Sequence, residues 1–289
     1  MWRLVAIAAA AALLATPARA ESRLNVIASF SVLGDFVKNV GGDKVNVTTL
    51  VGSNGDVHVY TPAPDDARKV ASARLLVVNG LGLEGWLPRL LQSSGGKATI
   101  VVASKGVTPL QAGSNADPHA WQSVANAKIY VGNISEALIT ADPADAESFR
   151  ANTARYLSEL DALDAEVRAA VARIPPERRK VISTHDAFGY FAKAYGIEFL
   201  APEGVSTETE PSARDVAGII TQVKAGKIPA VFLENLSDPR LIRRIASETG
   251  AKVGGILFSD ALTDEKGDAP TYIALVSHNI KALTSALGN

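Results

Sequence analysis

DPADAESFRANTARYLSELDALDAEVRAAVARI, residues 142–174, is the stretch whose reading decides the fold. Its apolar residues Phe149, Tyr156, Leu160, Leu163, Val167, Val171 and Ile174 are spaced by threes, fours and sevens, which keeps them on one face of a single long helix. Asp142 suits the N-cap, Pro143 the first helical position, and Asp145 adds negative charge to the first turn. Arg155 with Glu159 and Asp164 with Arg168 are opposite charges four residues apart on the outer face. Pro175 and Pro176 stop the pattern. At full length the helix would span about 45 Å, the width of a small domain. Nearly equal amounts of chain flank it, so it reads as a spine between two lobes.

Both flanks alternate strand and helix. Before the helix, residues 24–29, 45–51, 75–79 and 98–102 are short β-branched runs, and 32–40, 65–73, 84–92 and 123–140 have helical periodicity. After it, 180–183, 198–200, 230–234 and 252–257 read as strands and 187–195, 212–225, 239–249 and 271–287 as helices. The expected fold class is therefore α/β, with two lobes of mainly parallel sheet joined by one long helix. The expected divisions are an N-terminal lobe over 21–141, the helix over 142–174 and a C-terminal lobe over 175–289. A ligand is expected in the crevice between lobes, at the carboxyl ends of strands.

Composition narrows the class. The chain has 289 residues, 47% of them hydrophobic, with a formal net charge of −1 and no basic patch, which is the profile of a globular protein without a nucleic-acid partner. Arg3, the apolar run at residues 4–14 and the small-x-small triplet Ala18-Arg19-Ala20 form a secretory signal peptide with expected cleavage after Ala20. The expected location is the periplasm, with no membrane anchor. The absence of cysteine excludes disulfides, thiolate metal sites and a lipid-modified N-terminal Cys.

Only four histidines occur: His58, His119, His185 and His278. The first three fall in loops after expected strands, as does Asp260, so two candidates lie in each lobe. Three imidazoles and a carboxylate suit a divalent transition metal, and zinc above all; manganese draws more heavily on oxygen ligands. His278, inside the last helix, is expected to be structural. Asp56, Glu208 and Glu210 are candidates to orient imidazoles, with loop solvation as the competing role. Glu234 ends an apolar strand where it can face the cleft, and Trp121 and Tyr60 are placed to shield the site or pack beneath it.

Four segments carry a resemblance: residues 51–62 (VGSNGDVHVYTP), Asp117-Pro118-His119-Ala120-Trp121, residues 183–191 (STHDAFGYF), and residues 257–262 (LFSDAL) followed by Thr271-Tyr272. In this order they resemble the cluster A-I, or cluster 9, solute-binding proteins of bacterial zinc and manganese ABC importers, over essentially the whole mature chain. The resemblance implies a metal held between lobes by His58, His119, His185 and Asp260. A His at the third position resembles the zinc-type site, where manganese-type members commonly have Glu. The first motif departs from the usual Asp-Pro-His at Val57, and residues 105–117 lack the His-rich loop of many zinc members.

The expected function is capture of Zn²⁺, with Mn²⁺ as the alternative cargo, and delivery by a monomeric, non-enzymatic protein to an inner-membrane ABC permease. Binding needs deprotonated imidazoles, so affinity should fall as pH drops through their titration range. An exported zinc hydrolase is the competing class. It would need an open coordination position, and no HExxH-type helix or additional acid and base accompany the candidates.

Overall fold

A computed structural model describes residues 23–288. The signal peptide and its cleavage site lie outside the described residues. The chain runs β1 (Leu24–Phe30), α1 (Ser31–Gly41), β2 (Val45–Val51), α2 (Pro64–Ser72), β3 (Leu75–Val78), α3 (Leu87–Ser94) and β4 (Thr99–Val102), then a small hairpin of β5 (Gln111–Ala112) and β6 (Asn115–Ala116) that the sequence patterns do not signal. Next come α4 (Val124–Ala141) and α5 (Ala146–Ala172). The second half runs β7 (Lys180–Ile182), α6 (Gly189–Tyr195), β8 (Glu198–Leu200), α7 (Ala213–Gly226), β9 (Ala230–Glu234), α8 (Pro239–Thr249), β10 (Lys252–Leu257) and α9 (Tyr272–Leu287).

Two four-stranded sheets form, β2-β1-β3-β4 and β10-β9-β7-β8, and their pairings are all parallel. Taken in chain order within each lobe, both sheets have the order 2-1-3-4, so the duplicated architecture extends to topology although no residue-level repeat is evident. In each sheet the order reverses beside the first strand, which is where parallel sheets open a crevice at their carboxyl ends. β10 holds an irregularity between Val253 and Ile256. Gly254 is required there, because a Cβ would lie 2.5 Å from the Phe232 ring.

α5 carries the chain from one lobe to the other. Every residue of its expected apolar stripe is buried, none more than 3% exposed. Opposite, Arg155 Nη1 lies 2.6 Å from Glu159 and Arg168 Nε 2.8 Å from Asp164. Its beginning keeps the expected cap but opens as a 3₁₀ turn. The backbone N–H of Asp142 donates to Leu138 O and closes α4, residues Pro143–Asp145 make a 3₁₀ turn, and the α-helix starts at Ala146. Asp142 stands at the N-cap and Pro143 at the first position of that turn, which runs straight into the α-helix.

α9 returns from the second lobe and packs on α5, α1 and β10. At its start the Tyr272 N–H donates to buried Asp35 on α1 (3.0 Å), the Tyr272 hydroxyl donates to Trp121 O (2.6 Å), and its ring meets Phe36 at 4.8 Å. The lobes are therefore joined by packing as well as by α5. Among the described residues no helix is long and apolar enough to cross a membrane.

Candidate metal centre

The strand ends bring the four candidates into one place. His58 sits in the loop after β2, His119 in the turn before α4, His185 after β7 and Asp260 after β10. All are buried, with exposures of 6%, 0%, 1% and 0%. One ligand atom from each lies within 4.8 Å of the others. His58 Nε2 is 3.2 Å from His119 Nε2 and 3.3 Å from Asp260 Oδ2, His185 Nε2 is 3.1 Å from Asp260 Oδ2, and His119 Nε2 is 3.6 Å from Asp260 Oδ1. Despite these approaches, His185 Nε2 and both Asp260 oxygens have no hydrogen-bond partner of acceptable geometry. Buried polar atoms of that kind are costly unless something else satisfies them, and a cation among them does so.

The fields at the centre are mutual. Burial pushes the Asp260 carboxyl up, but His185 and His119 outweigh it and hold it well below the usual carboxylate range. Burial pushes His185 down, but the carboxylates of Glu234 and Asp260 outweigh it and hold its imidazole well above the ordinary value.

Each ligand loop is braced. The backbone N–H groups of His58 and His119 donate to the carboxylates two residues earlier, Asp56 Oδ1 and Asp117 Oδ1, both at 2.9 Å. With Val57 between Asp56 and His58, the first turn keeps the same backbone bond as the second. Asp117 Oδ1 also lies 2.8 Å from His119 Nδ1. Asp56 meets no imidazole; its other oxygen accepts from Thr207 Oγ1 (2.7 Å), across the cleft. Glu208 faces a groove beside His58, and Glu210 lines a different groove with Asp238 and Arg240.

Glu234, at the end of β9, is the acid that reaches the centre. Oε1 accepts the backbone N–H groups of Thr184 (2.8 Å) and His185 (3.0 Å), while Oε2 lies 2.6 Å from His185 Nδ1 and accepts Ser259 Oγ at 2.8 Å. Trp121 packs on the His119 ring at 5.3 Å, and its Nε1, with Gln122 Nε2, donates to Ser259 O across the lobes. Tyr60 instead packs on Trp86 and donates to Asp66. His278 stands away from the cluster, packed edge-to-face on Phe258 with Nε2 bonded to Ile256 O. The roles of Asp117 and Ser259 are not evident from spacing along the chain, although the shared Asp two residues before His58 and His119 is a local signal for the first.

Residues 26–286 match the family described as zinc-uptake complex component A, periplasmic. The chain is 34% identical to the iron-binding protein YfeA of Yersinia pestis, over 99% of this chain and 95% of that protein. It is 32% identical to the manganese-binding lipoprotein MntA of Halalkalibacterium halodurans, over 91% of this chain and 88% of that one. In three dimensions it resembles the periplasmic zinc binding protein TroA from Treponema pallidum, with a TM-score of 0.89, 31% identity, and coverage of 93% of this chain and 100% of that chain. These names span three metals, so likeness alone does not select one. Two parallel sheets, a long connecting helix, a buried cluster of three histidines and one aspartate, and a match over nearly the whole chain lead to one assignment: the chain belongs to the zinc-uptake complex component A family, the periplasmic solute-binding proteins of metal ABC importers.

Proposed function

We propose that the chain captures Zn²⁺ in the periplasm, with His58, His119, His185 and Asp260 as the four ligands, and delivers it to an inner-membrane permease. The observation that carries this reading is the size of the donor set. A tetrahedral zinc with bonds of about 2.0–2.1 Å has ligand atoms about 3.3–3.4 Å apart. Four of the six pairwise separations, taken to one or the other Asp260 oxygen, run from 3.1 to 3.6 Å, and one ligand atom from each residue lies within 4.8 Å of the others. Three borderline nitrogen donors and one oxygen are also what zinc favours over manganese. The ion exchanges its water shell for these donors, and no bond of a substrate is made or broken. As a member of a solute-binding family the chain is not an enzyme, which removes the hydrolase reading.

Manganese is the second reading, favoured by one feature. Both oxygens of Asp260 approach imidazoles of the cluster, Oδ1 at His119 and Oδ2 at His58 and His185. A bidentate Asp260 would raise the coordination number and the oxygen share, which suits a harder ion. Elemental analysis of protein from its native compartment, followed by zinc and manganese competition on metal-stripped protein, separates the readings. Zinc should be recovered and should displace manganese when both are equimolar. Recovery of manganese that zinc does not displace would refute the zinc assignment.

A further inference from the structure

The carboxylate of Glu234 has four hydrogen-bond partners, two on each oxygen, while 4% exposed. An ionised carboxylate has acceptor sites on both oxygens and no proton to give, so every partner of such a group must donate to it. Two of the donors are backbone N–H groups that cannot reverse. A third, the Ser259 hydroxyl, can rotate. The fourth is His185 Nδ1, and facing a carboxylate oxygen at 2.6 Å it must carry the ring proton. The neutral imidazole that binds a metal has one such proton, so in that form Nε2 presents its lone pair to the cluster of Asp260, His58 and His119.

We infer that Glu234 is a positioning residue that fixes the tautomer of His185, so that Nε2 is presented unprotonated to the metal, and that this depends on its having two acceptor oxygens. The inference rests on the metal-binding reading above and adds to it the group that makes the third ligand competent. Ser259 stands next to the ligand Asp260, so the same carboxylate also ties the β7 loop to the β10 loop.

Asp117 makes the contrast that tests this. It serves His119 with a single oxygen, Oδ1, which takes both the backbone N–H and Nδ1. In Asp117→Asn that oxygen remains an acceptor, and the new NH₂ occupies the Oδ2 position. The His119 tautomer is preserved. Glu234→Gln has the same shape change but a different outcome. The fixed backbone donors claim the amide oxygen, so the NH₂ replaces Oε2 and confronts Nδ1–H. The ring escapes this clash by moving its proton to Nε2, where it blocks the metal. Turning the amide over restores Nδ1 but sets NH₂ against two backbone N–H groups, which dislodges the loop that carries His185.

The experiment is a zinc competition titration against a chromogenic chelator on the full mature chain, for wild type, E234Q, D117N and S259A. Outer partners of metal-ligating histidines typically contribute roughly 10–100-fold in affinity. E234Q should fall at or beyond the upper end, and D117N and S259A at or below the lower end. Equal losses in E234Q and D117N would overturn the inference. Imidazole ¹⁵N spectra of the zinc-loaded wild type supply a readout that does not depend on a variant folding. His185 must show its proton on Nδ1, and a bare Nδ1 overturns the inference. Failure of the wild type to bind any divalent metal would instead refute the metal-binding reading itself.

Discussion

His119 and His185 face the same point with almost no solvent around them, and replacing either with alanine removes one of four donors without supplying another. Water can enter the space, but it is a poorer ligand than an oriented imidazole in a buried site. Each variant is expected to lose more zinc affinity than the roughly 10–100-fold typical of an outer partner. Calorimetric titration checks this, and undiminished affinity in both variants would refute the ligand assignment. At this scale the sequence was informative where chemistry is rare: three of four histidines follow strands, and all three converge. It places Glu234 at a strand end that can face the cleft but does not rank it above Asp56, Glu208 and Glu210, because acids are common at strand ends and in loops. Which one meets an imidazole depends on the packing of β9 between β7 and β10, and nothing in the local pattern encodes that.

α5 shows what periodicity conveys and where it stops. The buried stripe and both ion pairs follow from a 3.6-residue repeat, whereas the pattern does not show that Asp142-Pro143 opens a 3₁₀ turn ahead of the α-helix. The short strands fell within a residue or so of their expected places because flanking turns bound them, while β5 and β6 are too short to have a pattern. One residue of α5 also links it to the second lobe. The Tyr195 hydroxyl of α6 donates to Asp164 Oδ1 at 2.7 Å, and Arg168 pairs with the same carboxylate. Burial opposes ionisation of Asp164, but the hydrogen bonds from Arg168 and Tyr195 outweigh it and hold its pKa below the ordinary value. A depressed folded-state pKa gives stability that is present above the unfolded value of about 3.9 and is lost as pH falls through the folded one. Asp164→Asn should therefore cost at most about 1 kcal/mol at pH 7, since Arg168 is solvent-exposed and screened. The difference from wild type should shrink toward pH 3. Urea denaturation at the two pH values measures it, and a constant difference would mean that charge is not its source.

The whole molecule is clasped in more places than its single crossing helix suggests. Ser259 O receives Trp121 and Gln122, Leu262 O accepts the Asn54 N–H while its own N–H donates to Ser31 Oγ, and Asp56 meets Thr207. α9 adds an apolar bridge onto α1 and α5. None of these contacts uses the proposed ligand atoms, so removing the metal leaves them in place. A wide hinge opening would have to break them together and peel α9 from its seat, whereas movement of a ligand loop breaks few. Metal release is thus expected to be local. The compact form of a chain of this length has a radius of gyration of about 18–19 Å. Solution scattering should give the same radius, within error, for zinc-loaded and chelator-stripped protein. Thermal denaturation should nevertheless differ between them, because zinc at about 100 times its dissociation constant adds about 2.7 kcal/mol to the folded state. A rise in radius on stripping would show that the ligands, and not the clasps, hold the lobes together.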